Sequence, residues 1–170
     1  MSAIEVVDYD PEGPRGFVGA AARLRAAAPA LIVAVEHIGN TAVPGLAAKP
    51  IVDLMPAVAA GHPADLDRCV APIVALGYEY VQKYEDEMPY RRFFRLRRAG
   101  RQHNVHLVEL GGEFWARHLA FRDILRTHPQ VAAQYAALKR SLALRCDDVG
   151  DYTDAKTGFI EATLATRGAL

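Results

Sequence analysis

The chain has 170 residues, 51% hydrophobic and 24% charged, and its 20 Lys and Arg balance 20 Asp and Glu to a formal net charge of zero. The length predicts one domain with one substantial core, and the charge balance argues against a protein that coats nucleic acid or an anionic membrane while leaving room for a local basic site. With no run of about 18 apolar residues, no signal-peptide pattern at the N-terminus, and only Cys69 and Cys146, spaced unlike metal ligands, the expectation is a cytoplasmic protein with free thiols, no membrane span and no membrane partner.

Residues 14–28 read as a helix, with Phe17, Ala21, Leu24 and Ala28 at helical spacing and Pro29 unable to continue the ladder. Residues 31–38 are short, apolar and β-branched, as a buried strand is, and Gly39-Asn40-Thr41 turns the chain. After the Pro44-Gly45 loop a second short strand is expected over 51–55. A helix over 63–76 follows, stopped by Gly77, then a short strand over 78–81 and an acidic loop over 85–89. Residues 92–98 and 104–110, joined through Ala99-Gly100-Arg101-Gln102, read most simply as an antiparallel hairpin. The remainder has helical period over 113–127, over 129–144 with Pro129 in the first turn, and over 153–166 with Asp151 or Thr153 as cap. This order gives an α+β fold, a sheet-bearing N-terminal half under a helical C-terminal layer.

The densest chemistry lies between Glu36 and Leu54. Gly39 lets the backbone approach a ligand, and the N–H groups of such a turn make a concavity for anions. Asn40 and Thr41 add side-chain hydrogen bonds, and Lys49 adds a point charge suited to phosphate. Asp53, on the strand that follows, offers a hard oxygen ligand for Mg²⁺. These are the parts for holding a metal-bound triphosphate. A tight structural loop accounts for the same residues, because Gly-Asn-Thr and Pro-Gly are ordinary turn sequences.

The phrase His37-Ile-Gly-Asn-Thr-Ala-Val-Pro-Gly-Leu-Ala-Ala-Lys-Pro-Ile-Val-Asp53 closely resembles the signature of the GrpB family, also called UPF0157. The resemblance continues in Asn104-Val-His106-Leu-Val, Phe121-Arg122-Asp123-Ile-Leu-Arg126, Tyr135-Ala-Ala-Leu-Lys139 and Tyr152-Thr-Asp-Ala-Lys156, nearly the whole chain. It implies the nucleotidyltransferase superfold, a polymerase-β-like mixed sheet flanked by helices with a helical C-terminal layer. In active members of that superfold a Gly-Ser turn holds the triphosphate. An Asp-x-Asp pair on the next strand and a third acid on a later strand hold two divalent ions. Here Asn40 stands where Ser is usual, and the second acid position is Met55, a departure that family members tend to share. One carboxylate cannot easily bind two Mg²⁺ ions.

On the later strand, His106 and Glu109 differ in parity and face opposite sides. The family pattern keeps the histidine, which makes His106 the first choice as general base or metal ligand; Glu109 joins the metal site only if the strand bulges or ends early. His37 and His103 are weaker candidates, His103 being expected in solvent near the hairpin turn. Arg91, Arg92, Arg95, Arg97, Arg98 and Arg101 crowd one segment. They form a solvated strand face paired with Glu85, Asp86 and Glu87, or a surface for phosphate or another acidic ligand. Nucleic acid is the weakest reading, because no aromatic-rich RNA motif accompanies them. In the C-terminal layer, Arg122 and Asp123 are expected to pair with neighbours. Tyr152 and Lys156 are four apart on one helix face. If that face looks into the cleft, Lys156 meets a phosphate and Tyr152 a base or sugar; otherwise the pair packs helices. Phe114 and Trp115 are expected in the core.

The first functional expectation is therefore a nucleotidyltransferase-like enzyme. It binds a Mg²⁺–nucleoside triphosphate through Gly39, Asn40, Thr41, Lys49, Tyr152 and Lys156, with Asp53 on metal and His106 moving a proton, and acts on a small-molecule acceptor. The competing expectation is a module that binds a nucleotide or other small anion without two-metal chemistry, and Met55 favours it. A third, an accessory domain acting through protein contacts, follows from the family's occasional fusion to dephospho-CoA kinase.

Overall fold

The computed structural model describes residues 12–47, 49–98, 100–143 and 149–166. Five strands form one mixed sheet in the order β1-β2-β5-β4-β3. They are β1 (Ala34–Ile38), β2 (Val52–Val58), β3 (Glu79–Tyr80), β4 (Arg92–Arg98) and β5 (Arg101–Glu109). All neighbours are antiparallel except β2 and β5, which run parallel at the centre. Helix α1 (Glu12–Ala27) and the short α2 (Ala64–Arg68) and α3 (Val70–Ala75) precede the hairpin; α4 (Glu113–Thr127), α5 (Pro129–Ala143) and α6 (Val149–Ala165) follow it.

Several elements differ from the sequence expectation for physical reasons. The helix over 63–76 is two short helices, because Pro72 has no N–H to return to the carbonyl of Arg68. Leu31 and Ile32 still bond back to the Ala28 carbonyl, so β1 starts only at Ala34. Strand β2 runs through Pro56 to Val58; its register with β5 pairs Leu54 with Val105 and Ala57 with Val108 on either side of the proline. The hairpin is tighter than expected, pairing Arg98 with Arg101 around Gly100 at φ +67°. Helix α6 begins at Val149, so Asp151 and Thr153 lie inside it and are not its caps.

Strand alternation gives the sheet two unlike faces. One carries Val35, Leu54, Val58, Phe94, Leu96, Val105 and Leu107, which pack with Ala20 and Leu24 of α1, Leu66 of α2 and Ile73 of α3 into the main core. The other carries Ile38, Asp53, Met55, Asn104, His106 and Val108. Met55 is completely buried there, with Ile38 and Val108, under Phe114, Trp115 and Leu119 of α4. A third cluster joins Val43 and Leu46 of the β1–β2 connection to Leu125 of α4 and Tyr135 of α5. The helical layer is thus anchored twice, once on the sheet and once on the loop.

Candidate functional site

The β1–β2 connection leaves the sheet through Gly39, whose φ of +70° favours glycine, and makes a single 3₁₀ turn over Asn40–Ala42. A Cβ at Gly39 would lie 2.4 Å from Asp53 Oδ2, so the missing side chain is what lets the turn rest against that carboxylate. Three cations of the helical layer bind carbonyls of the connection and of the end of β1. Arg122 donates to His37 O (3.0 Å) and to Glu36 Oε2 (2.7 Å). Arg126 Nε donates to Ala42 O (2.8 Å), and the buried Lys139 ammonium donates to Ala47 O. Burial is the main reason the Lys139 pKa falls to about 7. Arg122 also pairs with Asp123, as the sequence suggested.

Asp53 sits at the start of β2, directly across from Asn104. Its Oδ1 accepts from Asn104 Nδ2 at 2.8 Å and lies 3.6 Å from His106 Nε2. Each of these neighbours is oriented by an arginine. Arg97 Nη2 donates to Asn104 Oδ1 (2.7 Å), which turns the amide so that its NH₂ faces Asp53. Arg91 Nη1 donates to His106 Nδ1 (3.2 Å). Since a guanidinium only donates, the imidazole proton sits on Nε2, toward Asp53. Burial lowers the His106 pKa more than Asp53 raises it, so the ring is neutral. Arg91 is itself only 8% exposed, beside the rings of Phe93 and Phe114.

Gly39, Asn40, Asp53, His106 and Lys156 line one cavity of about 350 Å³, together with Arg117 and His118 of α4. Lys156 reaches it from α6. Burial first, and then the charge of Lys49, bring the Lys156 pKa down to about 8. Lys49 is lowered as well, chiefly by burial, against the pull of Asp53. The Thr41 hydroxyl points elsewhere: it bonds His37 Nε2 (3.0 Å) and donates to Ile51 O (3.4 Å), closing the loop on itself. His37 stacks on Phe17 at 4.7 Å on the opposite face of the sheet, where burial takes its pKa down to about 4.

A family model described as GrpB protein matches residues 3–166. The chain belongs to the GrpB family. A UPF0157 protein of Pseudomonas aeruginosa is 41% identical over 146 residues; the match covers 84% of this chain, which spans 58% of that relative's length. The crystal structure of the conserved protein GrpB from Enterococcus faecalis superposes with a TM-score of 0.83 at 33% identity, covering 96% of both chains. A cytoplasmic RNA terminal U-transferase superposes with a TM-score of 0.54 at 11% identity over 82% of this chain and 41% of its own, which makes the fold nucleotidyltransferase-like.

Among the described residues that line the cavity of this GrpB chain, Asp53 is the one carboxylate. The second acid position is Met55, sealed in apolar contacts. Glu109 stays on the opposite face, as parity requires; it accepts from Gly61 N at 2.8 Å, so the sequence-based pairing of Glu109 with Asp53 on a metal does not form. His106 has its Nδ1 occupied by Arg91 and turns its Nε2 toward Asp53 at 3.6 Å. Among the described residues no group of three or more His, Cys, Asp or Glu side chains could hold a metal ion. Asp53, His106 and Lys156 line the same cavity. The Tyr152 side chain lies outside the described residues.

The sequence reading missed what the arginine segment does. The buried Arg91 and the exposed Arg97 each bond a neighbour of Asp53, while Arg92 pairs with Asp67 (2.7 Å) and Glu85 (3.6 Å), and Arg95 with Glu79 (2.7 Å). Strand alternation was the available signal: Arg95 and Arg97 share a face with Phe93. His103 is buried rather than solvated, and its Nδ1 bonds the Tyr78 hydroxyl at 2.8 Å. His118 was also missed. Its Nδ1 donates to Phe114 O (2.8 Å), which leaves Nε2 with a lone pair, and burial brings its pKa to about 4. No helix of the described residues is long and apolar enough to cross a membrane.

Proposed function

We propose that the protein binds the phosphate chain of a nucleotide in the cleft between the β1–β2 turn and helices α4 and α6, with its own cations providing the neutralisation. One observation carries this reading. Lys156 and Lys49 approach each other beside a single carboxylate, and burial and like charge depress the Lys156 pKa to about 8. Such a cluster disfavours its own charged state, and an entering polyanion relieves it. Asn40 adds a neutral donor on the same wall.

A second reading, nucleotidyl transfer from a Mg²⁺–nucleoside triphosphate to a small-molecule acceptor, is favoured by the position of Asp53 against the Gly39 turn in a nucleotidyltransferase-like fold. Magnesium, if used, would depend on Asp53 alone. The fold by itself does not carry the reaction.

Titration calorimetry and thermal shift with each of the four nucleoside triphosphates, in Mg²⁺ or in EDTA, separate the two readings. Under the first, a nucleotide binds and raises Tm in EDTA. Lys156→Met then weakens binding by about tenfold or more. Asp53→Asn strengthens it, because the charge that repels phosphate is gone. Under the second, the shift requires Mg²⁺ and Asp53→Asn abolishes it. No shift under any condition refutes both.

A further inference from the structure

A second cavity, of about 690 Å³, opens beside the anion cleft. Its wall is mostly apolar and aromatic, with Tyr90, Phe114 and Trp115 among its lining residues. Arg117 and His118 line both cavities. The reason lies in the period of α4. Phe114, Arg117, His118, Phe121, Arg122 and Leu125 fall at i, i+3, i+4, i+7, i+8 and i+11, a single face of the helix. That face runs along both cavities, with Phe114 at one end and Leu125 at the other, about 16 Å apart at 1.5 Å per residue. The two spaces form one groove, floored by α4.

The groove is polarised. At one end Lys156 and Lys49 stand beside the Gly39 turn; at the other, Glu113 lines the aromatic cavity, while the Glu109 carboxylate is held by Gly61 N. Phosphate is repelled from the acidic end and attracted to the basic one. Arg117 marks the junction, paired with Glu161 at 2.6 Å and under the influence of Glu113 and Tyr90. The aromatic end has the volume and the lining of a small-molecule site. Tyr90 is 51% exposed there, with its ring 6.3 Å from that of Phe114. A large aromatic side chain left half in water beside a stacked pair, Phe114 on His118 at 3.8 Å, is a platform without a cover.

We propose that the aromatic cavity holds the planar, uncharged head of the ligand whose phosphates fill the basic cleft, so that the ligand class is nucleoside polyphosphates rather than inorganic polyphosphates. This rests on the anion-binding reading above and adds the base to it. Tyr90 is the specificity-determining residue, closing over the base from the turn that precedes β4.

The test is calorimetry in EDTA with tripolyphosphate and with ATP, CTP, GTP and UTP. The wild type binds at least one nucleotide about tenfold or more tighter than tripolyphosphate, the size of one base–aromatic contact. Tyr90→Ala removes that ratio and leaves tripolyphosphate affinity unchanged, whereas Tyr90→Phe keeps the ratio. The proposal is overturned if every nucleotide binds no tighter than tripolyphosphate, or if Tyr90→Ala leaves the ratio intact. The two readings fail separately. Loss of selectivity with tripolyphosphate still bound sinks only the base cavity. Nucleotide binding that depends on Tyr90 but not on Lys156, with no affinity for tripolyphosphate, sinks only the anion cleft. If nothing binds, both fall.

Discussion

The two faces of the sheet are built on opposite plans. The face under α1, α2 and α3 is closed with apolar side chains, Leu54, Phe94, Val105 and Leu107 among its fully buried members. The polar His37 is accommodated there by stacking on Phe17 and bonding Thr41. The face under α4 to α6 mixes an apolar anchor around Met55 with a chain of polar groups leading from Arg91 and Arg97 to Asp53. Residues of β2 alternate between the plans: Leu54 belongs to the core and Asp53 to the site, one position apart. The contrast teaches that stability and chemistry are separable here at the level of strand parity. Met55, two residues beyond Asp53 on the same face, fastens the helical layer to the sheet through Phe114, Trp115 and Leu119.

If the faces are separable, substitutions one residue apart have different consequences. Leu54→Ala is the largest expected effect on stability, about 2–5 kcal/mol for truncating a fully buried leucine. Urea denaturation gives that value, and nucleotide affinity of the folded fraction stays unchanged. A large loss of affinity in the folded protein would show that the faces are coupled. Gly39→Ala comes next, at about 1–3 kcal/mol for holding a non-glycine residue at positive φ. The added Cβ also collides with the Asp53 carboxylate. Its effect therefore falls on binding as well, and a variant that binds as the wild type does would show that the turn does not need its close approach to Asp53.

The closed face was legible in the sequence and the site only partly so. Strands β4 and β5 were readable because alternation and a glycine turn are local signals. Helices α4 and α5 were readable from period and from Pro129. Asp53 and Lys156, 103 positions apart by their numbering, could be brought together only by resemblance to a family. What single-sequence reasoning could not supply was direction across the sheet. Arg91 and Arg97 looked like members of a charged surface, yet Arg91 is buried and each bonds a neighbour of Asp53. Likewise, the role of His106 depends on which nitrogen Arg91 holds. No local pattern signals the roles of Arg122, Arg126 and Lys139, because the carbonyls they bind, at His37 in β1 and at Ala42 and Ala47 in the connection, lie more than 80 residues upstream.

The smallest expected effect is a pH dependence that tells the faces apart. Burial holds His37 and His118 at about 4 and lowers His106 too, all from an unfolded value near 6.5. Between those values the unfolded chain binds protons that the folded chain does not. Stability is therefore fully present above about pH 6.5 and is lost as pH falls toward 4, by up to about 1.4 kcal/mol per pH unit for each histidine. Ordinary carboxylates titrate mainly below about pH 5, so the histidine part is read between pH 6.5 and 5 in urea midpoints. His37→Gln removes the contribution of the closed face, and His118→Gln removes one from the site face. A bound polyanion distinguishes them further. It favours a protonated imidazole in its own cleft, so it flattens the part that His118→Gln removes and leaves the part belonging to His37, across the sheet, as steep as before. Equal flattening of both would mean that the ligand acts through the fold as a whole and that the division by strand parity does not extend to electrostatics.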